Sequence, residues 1–323
     1  MSPVCLPELS PPKHVANVIV MLTVCVPAEA DRDALDGLAD VEVLVWNLTD
    51  PAPDGVGRTR FLLAPYMSAR PSPDVLDAMP DLEVIQLLSA GVDVWRPIVP
   101  DGVTLANGRG VHGGSTAELA VAGILASLHH LPSCFAQQRD RRWQRVGGDD
   151  LDDRNVLVLG AGDIGRKVAA AVEVFGAHAT LVARTARDDV RALADVSKLL
   201  GDHQIVVVAL PLTDETRALV DAPFLAALPD GALVVNIARG PIVDTDALLA
   251  ELTSGRLSAF LDVTDPEPLP EGHPLWSVPN VIITPHVGGG TSGWYRRGMR
   301  LVREQVERFA KGEPLENVVS GAY

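Results

Sequence analysis

Residues 155–176 read N-V-L-V-L-G-A-G-D-I-G-R-K-V-A-A-A-V-E-V-F-G, and no other stretch limits the possible folds so sharply. Asn155 to Leu159 is a short apolar run rich in valine, the pattern of a strand buried in a parallel sheet. Gly160, Gly162 and Gly165 follow at G-x-G-x-x-G spacing. From Asp163 onward, Ile164, Val168, Ala171, Val172 and Phe175 recur at helical intervals until Gly176 stops the run. Each glycine has its own reason. Gly160 permits the tight turn out of the strand, Gly162 lets backbone approach a pyrophosphate, and Gly165 lets helix and sheet pack closely. Unpaired N–H groups at the helix start, near Asp163 and Ile164, then face phosphate. A glycine turn alone is a weak signal. Strand before, helix after and a further strand at Ala179 to Val182 make dinucleotide binding the expectation.

A chain of 323 residues leads us to expect two domains of ordinary size. A hydrophobic share of 47% with 21% charged residues suits a globular chain with an ample core. The net charge of −15 argues against nucleic acid and anionic membrane as partners. Cys5, Cys25 and Cys134 form no C-x-x-C pair, so a reducing, cytoplasmic setting is expected, with no metal site. One apolar run, Val15 to Val26, follows Lys13 and His14 as a signal peptide would. Its basic flank is thin and contains Glu8, which favours a first core strand from Val18 to Val26. No apolar run reaches the roughly 18 residues a bilayer span needs.

In chain order, residues 1–17 read as a mobile tail. Strands are expected at 18–26, 41–46, 60–64, 82–88 and 103–106, with helices at 28–38 and 74–79. Such alternation predicts an α/β chain with a doubly wound parallel sheet, in which ligands sit beyond the carboxyl ends of strands. Tyr66, Met67 and the small-residue turn from Ser89 to Asp93 are therefore candidates to line a cleft. A glycine-rich crossing, Asn107 to Gly114, leads to a long apolar helix capped by Ser115 or Thr116 and ended by Pro132. A basic helix is expected from Cys134 to Arg145. Its arginines, Arg139, Arg141, Arg142 and Arg145, form either a solvated face or a subunit contact. After the glycine motif, strands are expected at 179–182, 205–210, 232–237, 259–263 and 281–284, with helices at 187–200, 223–228, 245–254 and 292–311. This is a second doubly wound parallel-sheet domain.

Three strand ends of that second sheet carry ionisable residues: Arg239, Glu267 and His286. Taken singly, these would be a surface charge, a turn residue between prolines and a core histidine. At neighbouring strand ends beside a dinucleotide they form a chemical set. Hydride transfer to a carbonyl needs a proton donor, a role suited to histidine held by a carboxylate. A guanidinium can grip a carboxylate bidentately and polarise the adjacent carbonyl. The set therefore predicts a site that reduces a 2-oxo acid.

G-A-G-D-I-G (Gly160 to Gly165), V-N-I-A-R-G-P-I-V-D (Val235 to Asp244), L-D-V-T-D-P-E-P-L-P (Leu261 to Pro270) and T-P-H-V-G-G (Thr284 to Gly289) occur in that order, with S-A-G-V-D (Ser89 to Asp93) and T-A-E (Thr116 to Glu118) before them. In these residues the chain resembles the D-isomer-specific 2-hydroxyacid dehydrogenase family over nearly its whole length. The resemblance implies a flavodoxin-like substrate-binding domain (18–110 plus 287–323) and an NAD(P)-binding Rossmann domain (111–286), usually in a homodimer. It implies that Arg239 binds the substrate carboxylate and carbonyl, that His286 is the acid/base and that Glu267 is its partner. Ala90, Gly91 and Val92 would hold the carboxylate. Thr116, Leu210, Pro211, Thr216, Ala238, Asp262 and Gly288 would surround the cofactor. The substrate would be a small 2-oxo acid of the glyoxylate or hydroxypyruvate type. The same Arg/Glu/His set would also serve phosphite oxidation. A nucleotide-sensing, corepressor-like binding protein is a third reading, which the short tail and intact proton-transfer set oppose.

Two departures from the family pattern matter. Members that prefer NAD usually carry an acid at the end of the second cofactor-domain strand, where this chain has Ala183. Arg184, Thr185 and Arg187 can instead receive a 2′-phosphate, although Asp188 and Asp189 oppose them. The expectation is NADP preferred, with NAD possible. Trp294 and Tyr295, with Tyr66 and Met67, either line a partly aromatic pocket or pack under the terminal helix.

Overall fold

The computed structural model describes residues 21–66 and 71–320. The predicted tail, the start of the first strand, Cys5 and Met67 lie outside the described residues.

The N-terminal part alternates strand and connection: β1 (Leu22–Val26), α1 (Glu29–Ala34), β2 (Val41–Val45), β3 (Thr59–Leu63), β4 (Val84–Gln86) and β5 (Thr104–Ala106). All five strands are parallel, in the order β2-β1-β3-β4-β5. That is the flavodoxin-like order. Two long helices follow, α2 (Gly113–Leu128) and α3 (Leu131–Arg139). The second sheet is built from β6 (Asn155–Leu159), α4 (Asp163–Glu173), β7 (His178–Ala183), β8 (Val190–Ala192), β9 (Ile205–Val208), α5 (Ala222–Ala226), β10 (Leu233–Asn236), α6 (Thr245–Thr253), β11 (Ser258–Leu261) and β12 (Val281–Ile283). Its seven parallel strands run β12-β11-β10-β9-β6-β7-β8. The order reverses at β6, which lies between β7 and β9, so the ligand crevice of such a sheet opens at the end of β6. α7 (Trp294–Ala310) closes the chain.

Burial explains the strand composition. Val156, Leu157, Val158 and Leu159 are fully covered, because helices pack on both faces of β6. Each such side chain contributes about 1.5–3 kcal/mol on leaving water. α4 buries Val168, Ala169 and Val172 on the sheet. α2 packs beside it through Ala117, Ala120 and Ile124. α7 instead returns to the first sheet, where Met299, Val302 and Val306 join Val24, Phe61 and Leu63.

Four local expectations need correction. α2 starts at Gly113 with His112 in the capping position, so Ser115 and Thr116 lie inside the helix; the Ser115 hydroxyl donates back to the His112 carbonyl. Pro132 does not end a helix but sits in the first turn of α3, where its missing N–H costs nothing. α3 stops at Arg139, and Arg141 turns left-handed at φ 54°, so the arginines beyond it are on a loop. Finally, the helix expected over 187–200 is replaced by edge strand β8 and two short 3₁₀ turns. Val190 aligns with Leu181 in that strand, and strand pairing outweighed the weak helical pattern.

Candidate active site

A cleft of about 430 Å³ is lined from both sheets. From the second sheet come Gly160 to Ile164, Ala183 to Thr185, Arg187, Leu210, Pro211, Thr213, Thr216, Ala238 and Arg239. From the first come Ala90, Gly91, Asp93 and the loop Asn107 to Gly110. The two first-sheet loops are joined. Asn107 Nδ2 donates to the Ala90 carbonyl at 3.1 Å, and Gly108 N donates to Ser89 O at 2.7 Å.

The glycine turn has the shape the sequence predicts. Gly160 adopts φ +120°, and a Cβ there would collide with the Ala209 carbonyl. A Cβ on Gly165 would collide with the Gly160 carbonyl, so the start of α4 rests directly on the turn. Gly162 differs, since its missing Cβ points into open space within the cleft. That open cradle at a helix N-terminus fits a dinucleotide diphosphate. Asp163, an acid facing the cradle, is paired with Lys167 one turn on. Thr216 is nearly buried and braces the next loop: its hydroxyl donates to Pro211 O at 2.7 Å and accepts from Thr213 N at 2.8 Å.

At the far end of β7, Ala183, Arg184, Thr185 and Arg187 all line the cleft. Asp189 turns to Arg166, whose Nη1 donates to it at 3.1 Å. That bond, with further pull from Arg187, holds the Asp189 carboxyl below its ordinary range.

Arg239 follows β10 and is set by its neighbours. Buried Asn236 accepts from Ala238 N at 3.1 Å and donates to Arg239 O at 3.0 Å, which fixes the turn. The guanidinium Nε donates to Asp93 Oδ2 at 3.0 Å, and Nη1 donates to Ala238 O at 2.7 Å.

Glu267 follows β11 and His286 follows β12; His286 Nδ1 and Glu267 Oε1 are 2.6 Å apart. The Glu267 carboxyl is held below its ordinary range, first by this bond, then by the charges of His286 and Arg239, against the opposing effect of partial burial. An ionised carboxylate only accepts, so Nδ1 carries the proton and Nε2 is the nitrogen left for a reactant. The backbone of His286 is strained, at φ 52°. It is held there by the His286 N bond to Asp262 O at 2.8 Å. The Asp262 side chain braces the same loop, accepting from Thr284 Oγ1 at 2.6 Å, Val287 N at 2.9 Å and Gly288 N at 2.9 Å.

Several predicted site residues do not line the cleft. Thr116, Gly165, Asp262, Glu267, His286, Gly288, Tyr66 and Val92 are absent from its wall. Asp262 is buried beneath the histidine loop, with Thr116 beside Gly288. The Val92 side chain is core. Tyr66 stacks on His112 at 5.2 Å and meets Trp294 at 4.4 Å, while the Tyr295 hydroxyl donates to Asp31 at 3.0 Å. These aromatics pack against the core of the first sheet under α7, the second of the two expected placements. Conversely, Asn236 is central to the site and was given no role from sequence, and Asp93, expected only to line the cleft, also binds Arg239. Both lie inside the motifs quoted above, S-A-G-V-D and V-N-I-A-R-G.

The family model described as D-isomer specific 2-hydroxyacid dehydrogenase, NAD binding domain, matches residues 121–288. The glyoxylate reductase/hydroxypyruvate reductase of Mus musculus is 34% identical over 292 residues, 84% of this chain and 88% of that protein. A D-isomer specific 2-hydroxyacid dehydrogenase from Xanthobacter autotrophicus Py2, solved with NADPH and MES, superposes with a TM-score of 0.80 at 31% identity, covering 93% of this chain and 98% of the other. The NADPH-dependent glyoxylate/hydroxypyruvate reductase of Sinorhizobium meliloti, solved with NADP and sulfate, gives a TM-score of 0.80 at 28% identity, with the same coverage of 93% and 98%. With this fold, this glycine turn and these relatives, the chain belongs to the D-isomer specific 2-hydroxyacid dehydrogenase family and is an oxidoreductase acting on a CH–OH group.

Proposed function

We propose that the protein reduces small 2-oxo acids of the glyoxylate and hydroxypyruvate type to D-2-hydroxy acids, with NADPH preferred over NADH. The observation that carries this reading is the 2.6 Å His286–Glu267 bond one strand end away from Arg239. When bound, the reduced dinucleotide supplies the hydride. Arg239 grips the substrate carboxylate and polarises the neighbouring carbonyl. His286 gives a proton from Nε2 to the forming alkoxide, while Glu267 accepts from Nδ1 and holds the ring in place. Ala90 and the backbone N–H groups of Gly91 and Val92 receive the carboxylate from the first-sheet side, and Arg184, Thr185 and Arg187 receive the 2′-phosphate. Relatives solved with NADPH or NADP support that preference.

On the same reading, 111–286 is the cofactor domain and 18–110 with 287–323 the substrate domain. The working form is a homodimer in the cytoplasm. α3 and the loop after it leave Phe135 and Trp143 exposed among Arg139, Arg141, Arg142 and Arg145. On a chain of net charge −15, a basic arm bearing bare aromatics suits an acidic second copy.

Assays with glyoxylate, hydroxypyruvate and phosphite, each with both nucleotides and with chiral analysis of the product, test the function. D-product from the 2-oxo acids supports it. Turnover of phosphite alone, or L-product, sinks it.

A further inference from the structure

The Asp93–Arg239 pair joins the loop after β4 in one sheet to the loop after β10 in the other. Both side chains line the cleft and are about one third exposed, at 35% and 32%. Gly91 lies against them: a Cβ there would collide with Arg239 Nη2 and stand 3.1 Å from Asp93 Oδ2. A guanidinium has five N–H groups. Among the described residues, Asp93 takes the one on Nε and the Ala238 carbonyl takes one on Nη1, which leaves three, all on the Nη atoms. The group is therefore fixed in rotation, with one side closed by a carboxylate and the Nη side left for a ligand.

We propose that Asp93 is the positioning residue of Arg239 and, through its charge, a filter that admits 2-oxo acids with a single anionic group and rejects those with two. Its carboxylate aligns the guanidinium before substrate arrives, so less order has to be imposed on binding. It also sets a fixed negative charge beside the place where Arg239 holds the substrate carboxylate. Asp93 already offsets the single charge of Arg239, so among these groups a substrate with one carboxylate leaves one negative charge in excess and a substrate with two anionic groups leaves two. A second carboxylate or phosphate on the short carbon skeleton meets Asp93, and like charges brought together oppose binding.

The proposal rests on reading the cleft as a 2-oxo acid site, and the tests separate the two. Calorimetry on the NADP-loaded enzyme, with oxamate as the monoanion and tartronate as the dianion, needs no turnover. Oxamate should bind at least about tenfold more tightly, and Asp93→Asn should close most of that gap. In kinetics, Asp93→Asn keeps an acceptor for Nε and removes the charge. It should raise kcat/KM for oxaloacetate relative to glyoxylate about tenfold. Asp93→Ala removes the acceptor as well. It should raise KM for glyoxylate about tenfold with a smaller fall in kcat, while NADPH affinity by fluorescence titration stays the same. An unchanged oxaloacetate-to-glyoxylate ratio in Asp93→Asn, an unchanged KM in Asp93→Ala, or tighter wild-type binding of tartronate than of oxamate overturns the proposal. A wild type that turns over no 2-oxo acid overturns the functional reading instead, and the binding comparison still decides the role of Asp93.

Discussion

His286 and Glu267 meet at 2.6 Å although they leave the second sheet from different strands, β12 and β11. Their pairing is a product of the parallel sheet, which delivers both strand ends to one edge. It has a pH consequence with a definite sign. The folded state holds Glu267 below the ordinary carboxylate range, through the His286 bond first. Its contribution to stability is therefore present above the unfolded value and is lost as pH falls through the lowered folded value. Thermal melts of wild type and Glu267→Gln should differ at neutral pH and converge on acidification. At pH 7 the same variant should lose roughly tenfold or more in kcat, by weakening the hold on His286. A difference in melting that grows toward acid would contradict the assignment.

The three glycines of the turn separate folding from binding. Gly162→Ala adds a methyl group where nothing lies within 4 Å, so the fold should keep its Tm. That methyl group enters the diphosphate cradle, and dinucleotide affinity should fall at least about tenfold. Gly165→Ala sets its Cβ against the Gly160 carbonyl and should cost about 1–3 kcal/mol of stability. Calorimetric melts with and without nucleotide distinguish the two cases.

Asp262 is 2% exposed and accepts from two backbone N–H groups and one hydroxyl. Asp262→Ala leaves those donors without their acceptor, a loss of roughly 3 kcal/mol. It also frees the strained His286 loop, so kcat should fall further than KM rises. Denaturant unfolding and steady-state kinetics on the one variant measure both effects.

Arg184 tests which dinucleotide the cleft selects. Arg184→Ala should raise KM for NADPH about tenfold and leave KM for NADH within twofold, since only the former carries a 2′-phosphate. Equal losses with both nucleotides would move Arg184 from the 2′-phosphate to a general role in the cleft.

The sequence revealed both sheets and the proton-transfer set because their signals are local: valine-rich strands, glycine spacing, and ionisable residues just after strands. Other features depended on contacts between distant residues. Asp93 and Arg239 are 146 positions apart, and no local pattern announces their bond. Tyr66 sits at a strand end, where ligands are expected, yet its ring is taken by His112 and Trp294. Asp262, expected beside the nicotinamide, also braces the histidine loop, a contact between residues 25 and 26 positions apart. The helix expected over 187–200 gave way to β8 because an edge position beside β7 was available, which periodicity alone does not register.

The most direct test of the account is hydroxypyruvate-dependent oxidation of NADPH by wild type and His286→Ala at pH 7. The account predicts turnover by wild type with D-glycerate as product. In the variant it predicts a fall in kcat of roughly 10²–10⁴ with little change in KM, as expected when a general acid is removed. No turnover by wild type, or a variant as fast as wild type, would contradict it.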